Sequence, residues 1–212
     1  MNAAAAQAYE PDEQHFDLAD LPDRPLTLAD LERLPRELGH HFELQDGGLV
    51  VTPAPSTRHQ DVALNLNIAI RQCLTSEWTT AFAPGFAPRE GRYREPDVIV
   101  CRKEAVRMGM DYPRPDEILM MVEVVSSSTI TTERLVKPIE YASHGIPYYL
   151  VVELNASGRV VKLYLHENVE NPHREVESDP ERVFHRIGET MTGGAPLPMP
   201  KPFTGPLDPN GL

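Results

Sequence analysis

Cysteine is nearly missing from this chain. Cys73 and Cys101 are the only two in 212 residues, they lie in different segments, and neither belongs to a CxxC pair or stands at metal-ligand spacing from a histidine. Disulfide frameworks and zinc ribbons are thereby excluded, and two reduced, buried thiols are expected. Long apolar runs are missing too: no stretch approaches the roughly 18 residues of a membrane-spanning helix. The opening MNAAAAQAYEPDEQHF has neither the basic start nor the apolar middle of an export signal. No membrane partner is expected, and a cytoplasmic location is. Positive charge is scarce: 20 Lys and Arg against 32 Asp and Glu leave a net charge of −12. This counts against tight, sequence-independent binding of nucleic acid, which is driven by Lys and Arg displacing counterions from phosphates. There is no glycine-rich phosphate loop, no GxSxG elbow and no internal repeat, so P-loop, α/β-hydrolase and solenoid readings fall away.

Proline, by contrast, is abundant, with 21 residues against an average share of roughly 5%. The prolines crowd the ends of the chain. Residues 1–25, with six acids from Glu10 to Asp23 against Arg24 alone, are expected to be a disordered acidic tail. Residues 26–190 are expected to form one domain, the usual outcome at this length, and 191–212 a proline-rich C-terminal tail. The stretch 167–182 is acidic, but between 89 and 114 the balance reverses, with Arg89, Arg92, Arg94, Arg102, Lys103, Arg107 and Arg114. A local basic surface, either a solvated face or a DNA groove, therefore leaves room for an anionic substrate.

Periodicity predicts an α/β chain. Leu26, Leu28, Leu31 and Leu34 mark a short helix capped by Thr27, and HFELQDGGLVVTP reads as a β-hairpin turning on Asp46-Gly47-Gly48. The segment after Thr57, with Val62, Leu64, Leu66, Ile68, Ile70 and Leu74, reads as a helix of four or five turns. WTTAFAPGFAPRE and RYREPDVIVCR read as strands, as does EILMMVEVV; a helix from about Thr132 to His144 ends at Gly145 and leads into the strand YYLVVEL. RVVKLYLH and VFHRIGET complete the strand set.

One carboxylate is out of place. Glu123 interrupts an otherwise apolar strand, and Asp97, behind Pro96, enters another. A carboxylate buried in a strand costs several kcal/mol unless paired, hydrogen-bonded or metal-bound, so two of them need a common partner. Mg²⁺ or Mn²⁺ suits them, because a hard divalent cation takes one or two carboxylates together with water and phosphate oxygens. Such a cation polarises a phosphodiester and activates water, while a lysine such as Lys137 on the following helix orients the nucleophile or stabilises the developing charge.

REPDVIV, ILMMVEVVSSST and TERLVKPIEYASHGIPYYLVVE, with FELQDGGLVVTPAPSTRH upstream, resemble the Uma-type restriction endonuclease family, a bacterial branch of the PD-(D/E)xK nuclease superfamily. The likeness spans roughly residues 26–166. It implies a restriction-endonuclease-like core, a mixed β-sheet flanked by helices, preceded by an N-terminal helix and β-hairpin. It further implies a metal-dependent nuclease cutting nucleic acid, DNA above all, with Asp97 and Glu123 as metal ligands and the Val124 carbonyl as a third. Lys137 stands where this family places the lysine that the superfamily carries two residues after the glutamate, here Val125. Glu43 and His59 also match family positions, as a further carboxylate and a phosphate or water contact. Pro138 departs from the pattern: either the helix starts near Lys137, or it kinks there.

Each residue also has a plainer reading. Lys137 can serve as the helix-surface partner of Glu133, Glu43 as a solvated strand residue, and His59, His40 and His41 as surface histidines. The run Ser126–Thr129 fits ordinary capping. The alternative function is a catalytically inactive binding or regulatory module on the same fold, monomeric or homodimeric; a third is hydrolysis of a small phosphate ester.

Overall fold

The computed structural model describes residues 21–34, 40–107, 112–125, 136–168 and 184–212. The expectations for the tail before residue 21, for Ser126–Thr129, for the Glu133 partner of Lys137 and for most of the acidic stretch 167–182 concern residues outside that set.

Helix α1 (Leu28–Leu31) begins at Thr27, whose backbone N–H and hydroxyl both donate to the Asp30 carboxylate, at 2.8 and 2.7 Å. Strands β1 (His40–Gln45) and β2 (Gly48–Pro53) form the expected hairpin. Its two turn residues, Asp46 and Gly47, have φ of 51° and 80°, the left-handed pair that a two-residue turn needs to match strand twist. β4 (Phe86–Arg89) and β5 (Arg92–Arg94) join them in a small sheet of order β2-β1-β5-β4. Leu26, Leu31, Leu34, Leu44 and Tyr93 fill the space between this sheet and α1.

The main sheet is mixed and six-stranded, with order β10-β9-β8-β7-β6-β3. It comprises β3 (Trp78–Phe82), β6 (Val98–Arg102), β7 (Ile118–Val125), β8 (Tyr148–Leu154), β9 (Val160–Asn168) and β10 (Phe184–Met191). Only β7 and β8 run parallel, and their crossover carries α4 (Lys137–Ser143); the other neighbours are antiparallel. Every residue of β7 is buried, as befits a strand covered on both faces. On one face, Val62, Leu66 and Ile70 of α2 (Thr57–Gln72) pack with Val122 and Val124, and the C-terminal segment adds Leu197, Phe203 and Leu207. On the other, Tyr141 and Ala142 of α4 and Ile146 just after it pack with Met121, Val125 and Val151.

RYREPDVIVCR divides between the two sheets, β5 belonging to one and β6 to the other, because Pro96 has no N–H to continue a ladder. A short helix that the pattern did not announce, α3 (Lys103–Arg107), follows β6 directly. Pro138 is the second residue of α4 as described, a position where the missing N–H costs little; Val136 before it already has right-handed helical angles, and residues 131–135 lie outside the described set.

Candidate active site

Glu43, His59, Asp97, Glu123, Val124 and Lys137, distant in sequence, all line one open cleft of about 810 Å³, bounded by the hairpin on one side and the turn Asn155–Gly158 on another. Glu123 is 3% exposed. Lys137 Nζ donates to its Oε1 at 2.8 Å, and the Tyr141 hydroxyl donates to the same oxygen at 2.7 Å. Residues four apart on a helix share a face, which is why α4 delivers both donors together. Neither donor engages Oε2. The helix-surface reading of Lys137 is thereby set aside: its side chain is buried, with Glu43 Oε1 a further 3.7 Å contact.

Asp97 is placed by the end of a ladder. In the β6–β7 register Val98 faces Val122, so the residue opposite Val124 is Pro96, which has no donor. Side chains take over: Val124 N–H donates to Asp97 Oδ2 at 2.7 Å, and His59 Nε2 lies 2.8 Å from the Val124 carbonyl. His59 Nε2 is also 3.5 Å from Asp97 Oδ2. Both polar groups at the exposed edge of Val124 are thus satisfied, as buried backbone requires. His59 comes from the first turn of α2, whose Ser56 cap accepts its backbone N–H.

Glu43 reaches the cleft through Arg94, which pattern reasoning counted among surface arginines. Arg94 is 1% exposed. Its Nη1 donates to Glu43 Oε2 at 2.8 Å and its Nη2 to Glu140 Oε2 of α4 at 2.7 Å, with Nε on both Glu140 oxygens. Arg92 adds a 3.1 Å bond to Glu140. One guanidinium therefore ties the small sheet to the helix that carries Lys137. Burial pushes the Glu43 carboxyl up, but Lys137 and Arg94 outweigh it and hold the group below its ordinary value. Arg94, Glu140 and Tyr141 carried no local signal, since their partners lie 46, 51 and 18 residues away. His41, expected at the surface, is half-buried and pairs with Glu95 at 2.8 Å.

Glu123 is shifted upward, first by burial and then by the negative charge of Asp97, with Lys137 and Tyr141 offsetting only part. Two carboxylates raising each other's cost around one space is the donor chemistry that a hard cation relieves. Among the described residues no three His, Cys, Asp or Glu side chains converge as a ready-made cage. Mg²⁺ and Mn²⁺ do not require one, since water and phosphate oxygens complete their shells. The set Asp97, Glu123 and the Val124 carbonyl fits such an ion, the last in competition with His59.

The folded state of the metal-free protein holds the Glu123 proton more tightly than the unfolded chain. Its contribution to stability is therefore fully present at pH below the ordinary value of 4.5 and declines as pH rises through the folded value. Thermal melts across this range are expected to lose that part of their slope in Glu123→Gln; an unchanged slope means another group is responsible.

A family model described as "Putative restriction endonuclease", Uma2, matches residues 28–190. The chain is also similar to a solved structure described as a putative nuclease belonging to DUF820, from Anabaena variabilis ATCC 29413. Identity is 14%, over 83% of this chain and 90% of that one, with a TM-score of 0.52. That likeness establishes the fold. No curated protein matches.

Proposed function

Since the chain belongs to the Uma2 family of restriction-endonuclease-like proteins, we propose that it is a metal-dependent endonuclease that hydrolyses phosphodiester bonds of nucleic acid, DNA in the first instance, by in-line attack of water. The observation that carries this reading is the Lys137 ammonium seated 2.8 Å from Glu123 with Asp97 beside it in the same cleft. Asp97 and Glu123 would hold a divalent cation, which when bound would supply charge neutralisation at the phosphate and activation of the attacking water. The chain's own groups do the rest. Tyr141 fixes the Glu123 carboxylate by donating to its Oε1. Lys137, with one donor already on Glu123 Oε1, brings a positive charge to the place where charge develops on the phosphate. His59 holds the edge of Val124 and, through it, the placement of Asp97.

A second reading, a binding or regulatory module that no longer cleaves, is favoured by the net charge of −12, which opposes tight binding of nucleic acid. Thermal melts test the metal ligands and cleavage assays separate the two readings, because a ligand that binds only the native state raises stability whether or not a bond is cut. Mn²⁺ is expected to raise the midpoint of the wild type and to leave Glu123→Ala nearly unmoved. Incubation with single-stranded, duplex and branched DNA and RNA, beside Asp97→Ala, is expected to show metal-dependent cleavage by the wild type alone. Equal melting shifts in both proteins, or cleavage retained by Asp97→Ala, overturns the assignment of these ligands.

A further inference from the structure

The pair of His41 and Glu95 has no part in the chemistry above, yet it stands on the same cleft. His41 precedes Glu43 by two residues on β1, so both side chains leave one face of the strand. Their Cα atoms are roughly 7 Å apart, two residues of extended chain. His41 Nδ1 meets Glu95 Oε2 at 2.8 Å, and the Tyr93 hydroxyl donates to Glu95 Oε1 at 3.0 Å. Both carboxylate oxygens are therefore engaged, and the ring is held by one nitrogen with Nε2 at its opposite end. His41 and Glu95 line the main cleft and also a second hollow of about 640 Å³, bordered by Phe42, Tyr93 and Tyr112. The pair is thus the ridge between the two.

The other cations of the cleft are committed elsewhere. Arg94 binds Glu43 and Glu140, Lys137 binds Glu123, and Arg58 donates to the Gly158 carbonyl and to Asp61. Resting on the nuclease reading of this cleft, we propose that His41, oriented by Glu95, binds the phosphate next to the one cleaved. The cleft then takes a polynucleotide strand in preference to an isolated phosphate ester, with the strand continuing past His41 towards the second hollow. The protonated imidazole donates from both nitrogens, so Nε2–H can reach a phosphate oxygen while Nδ1–H stays on Glu95. The charged and titratable groups around it are Glu95 from the β5–β6 link, Tyr93 behind it, Glu43 and His40 on its own strand, Asp97 before β6, and Glu32 and Tyr112 across the second hollow. The hydrogen bond from Glu95 raises the imidazole pKa against the opposing effect of burial, and the charges of Glu95, Asp97 and Glu43 add to it.

The test is binding of a fluorescent single-stranded oligonucleotide by anisotropy at low salt, with a chelator present, at about pH 6 and about pH 8.5, on either side of the histidine range. Wild-type affinity is expected to fall as pH rises. His41→Gln is expected to bind about tenfold more weakly at the lower pH, as for loss of one charge-assisted contact, and to lose the pH dependence. Glu95→Gln keeps the imidazole and moves the fall to lower pH, which covers the case of a poorly folded His41→Gln. With Mn²⁺ added, the cleavage defect of either variant is expected in KM more than in kcat. Affinity indifferent to both substitutions overturns the phosphate contact whatever the cleavage result. Affinity that depends on His41 in a protein that cleaves nothing keeps the contact and fells the catalytic reading.

Discussion

Arg94→Met is expected to lose about 3–5 kcal/mol of stability, because it leaves two carboxylates buried without their cation. Glu43 and Glu140 both lie against the guanidinium, at 2.8 and 2.7 Å, and both are themselves nearly buried. Arg94→Lys is expected to recover little, since an ammonium cannot reproduce the forked bonds to two separate carboxylates. The triple change Arg94→Met, Glu43→Gln, Glu140→Gln is expected to recover most of the loss, because it removes the stranded charges along with their partner. Urea unfolding of the four proteins measures these differences. A single substitution costing under about 1 kcal/mol, the scale of an exposed pair, returns Arg94 to the surface role its sequence neighbourhood suggested.

Lys137→Ala is expected to reduce cleavage by about 10²–10³-fold, the usual loss when one preorganised donor to developing charge is removed, while Mn²⁺ binding persists. Tyr141 still holds Glu123 in that variant, so the carboxylate is not set adrift. Val125 lies two residues after Glu123 and on the same side of β7, buried against α4. The double change Val125→Lys with Lys137→Ala is therefore expected to restore part of the activity by supplying an ammonium from the strand. Single-turnover cleavage and calorimetric metal titration read both quantities. Wild-type cleavage by Lys137→Ala reduces the residue to a structural counter-ion of Glu123.

The residues that announced themselves in the sequence were those at odds with their surroundings. Glu123 in an apolar run, Asp97 after a proline and the Asp46-Gly47 turn each break a local rule, and a local rule can be read from one chain. The hairpin follows from its turn chemistry, the long helix α2 from apolar positions among helix formers with no proline or glycine between, and the strand YYLVVEL from its place after the Gly145 helix end. Arg94, Glu140, Tyr141, His41 and Glu95 obey every local rule. Their meaning comes from partners brought in by β1 and α4, and no pattern within a dozen residues encodes that. Pro138 shows the intermediate case: its neighbours allowed a kink or a start, and α4 is described from Lys137 with Pro138 as its second residue, while residues 131–135 lie outside the described set.

Pro96 faces Val124 and has no hydrogen to offer, so the Asp97 carboxylate closes the edge of β7. An aspartate at that place is useful to the fold whether or not any bond is ever cut. Among relatives of this chain, a lineage that had abandoned the reaction would still be under pressure to keep it. The Glu123–Lys137 pair has no comparable structural excuse: it places two charges in an interior where apolar side chains of similar size would be at least as stable. Its presence or loss, and not that of Asp97, is the better mark for sorting working members of the lineage from retired ones.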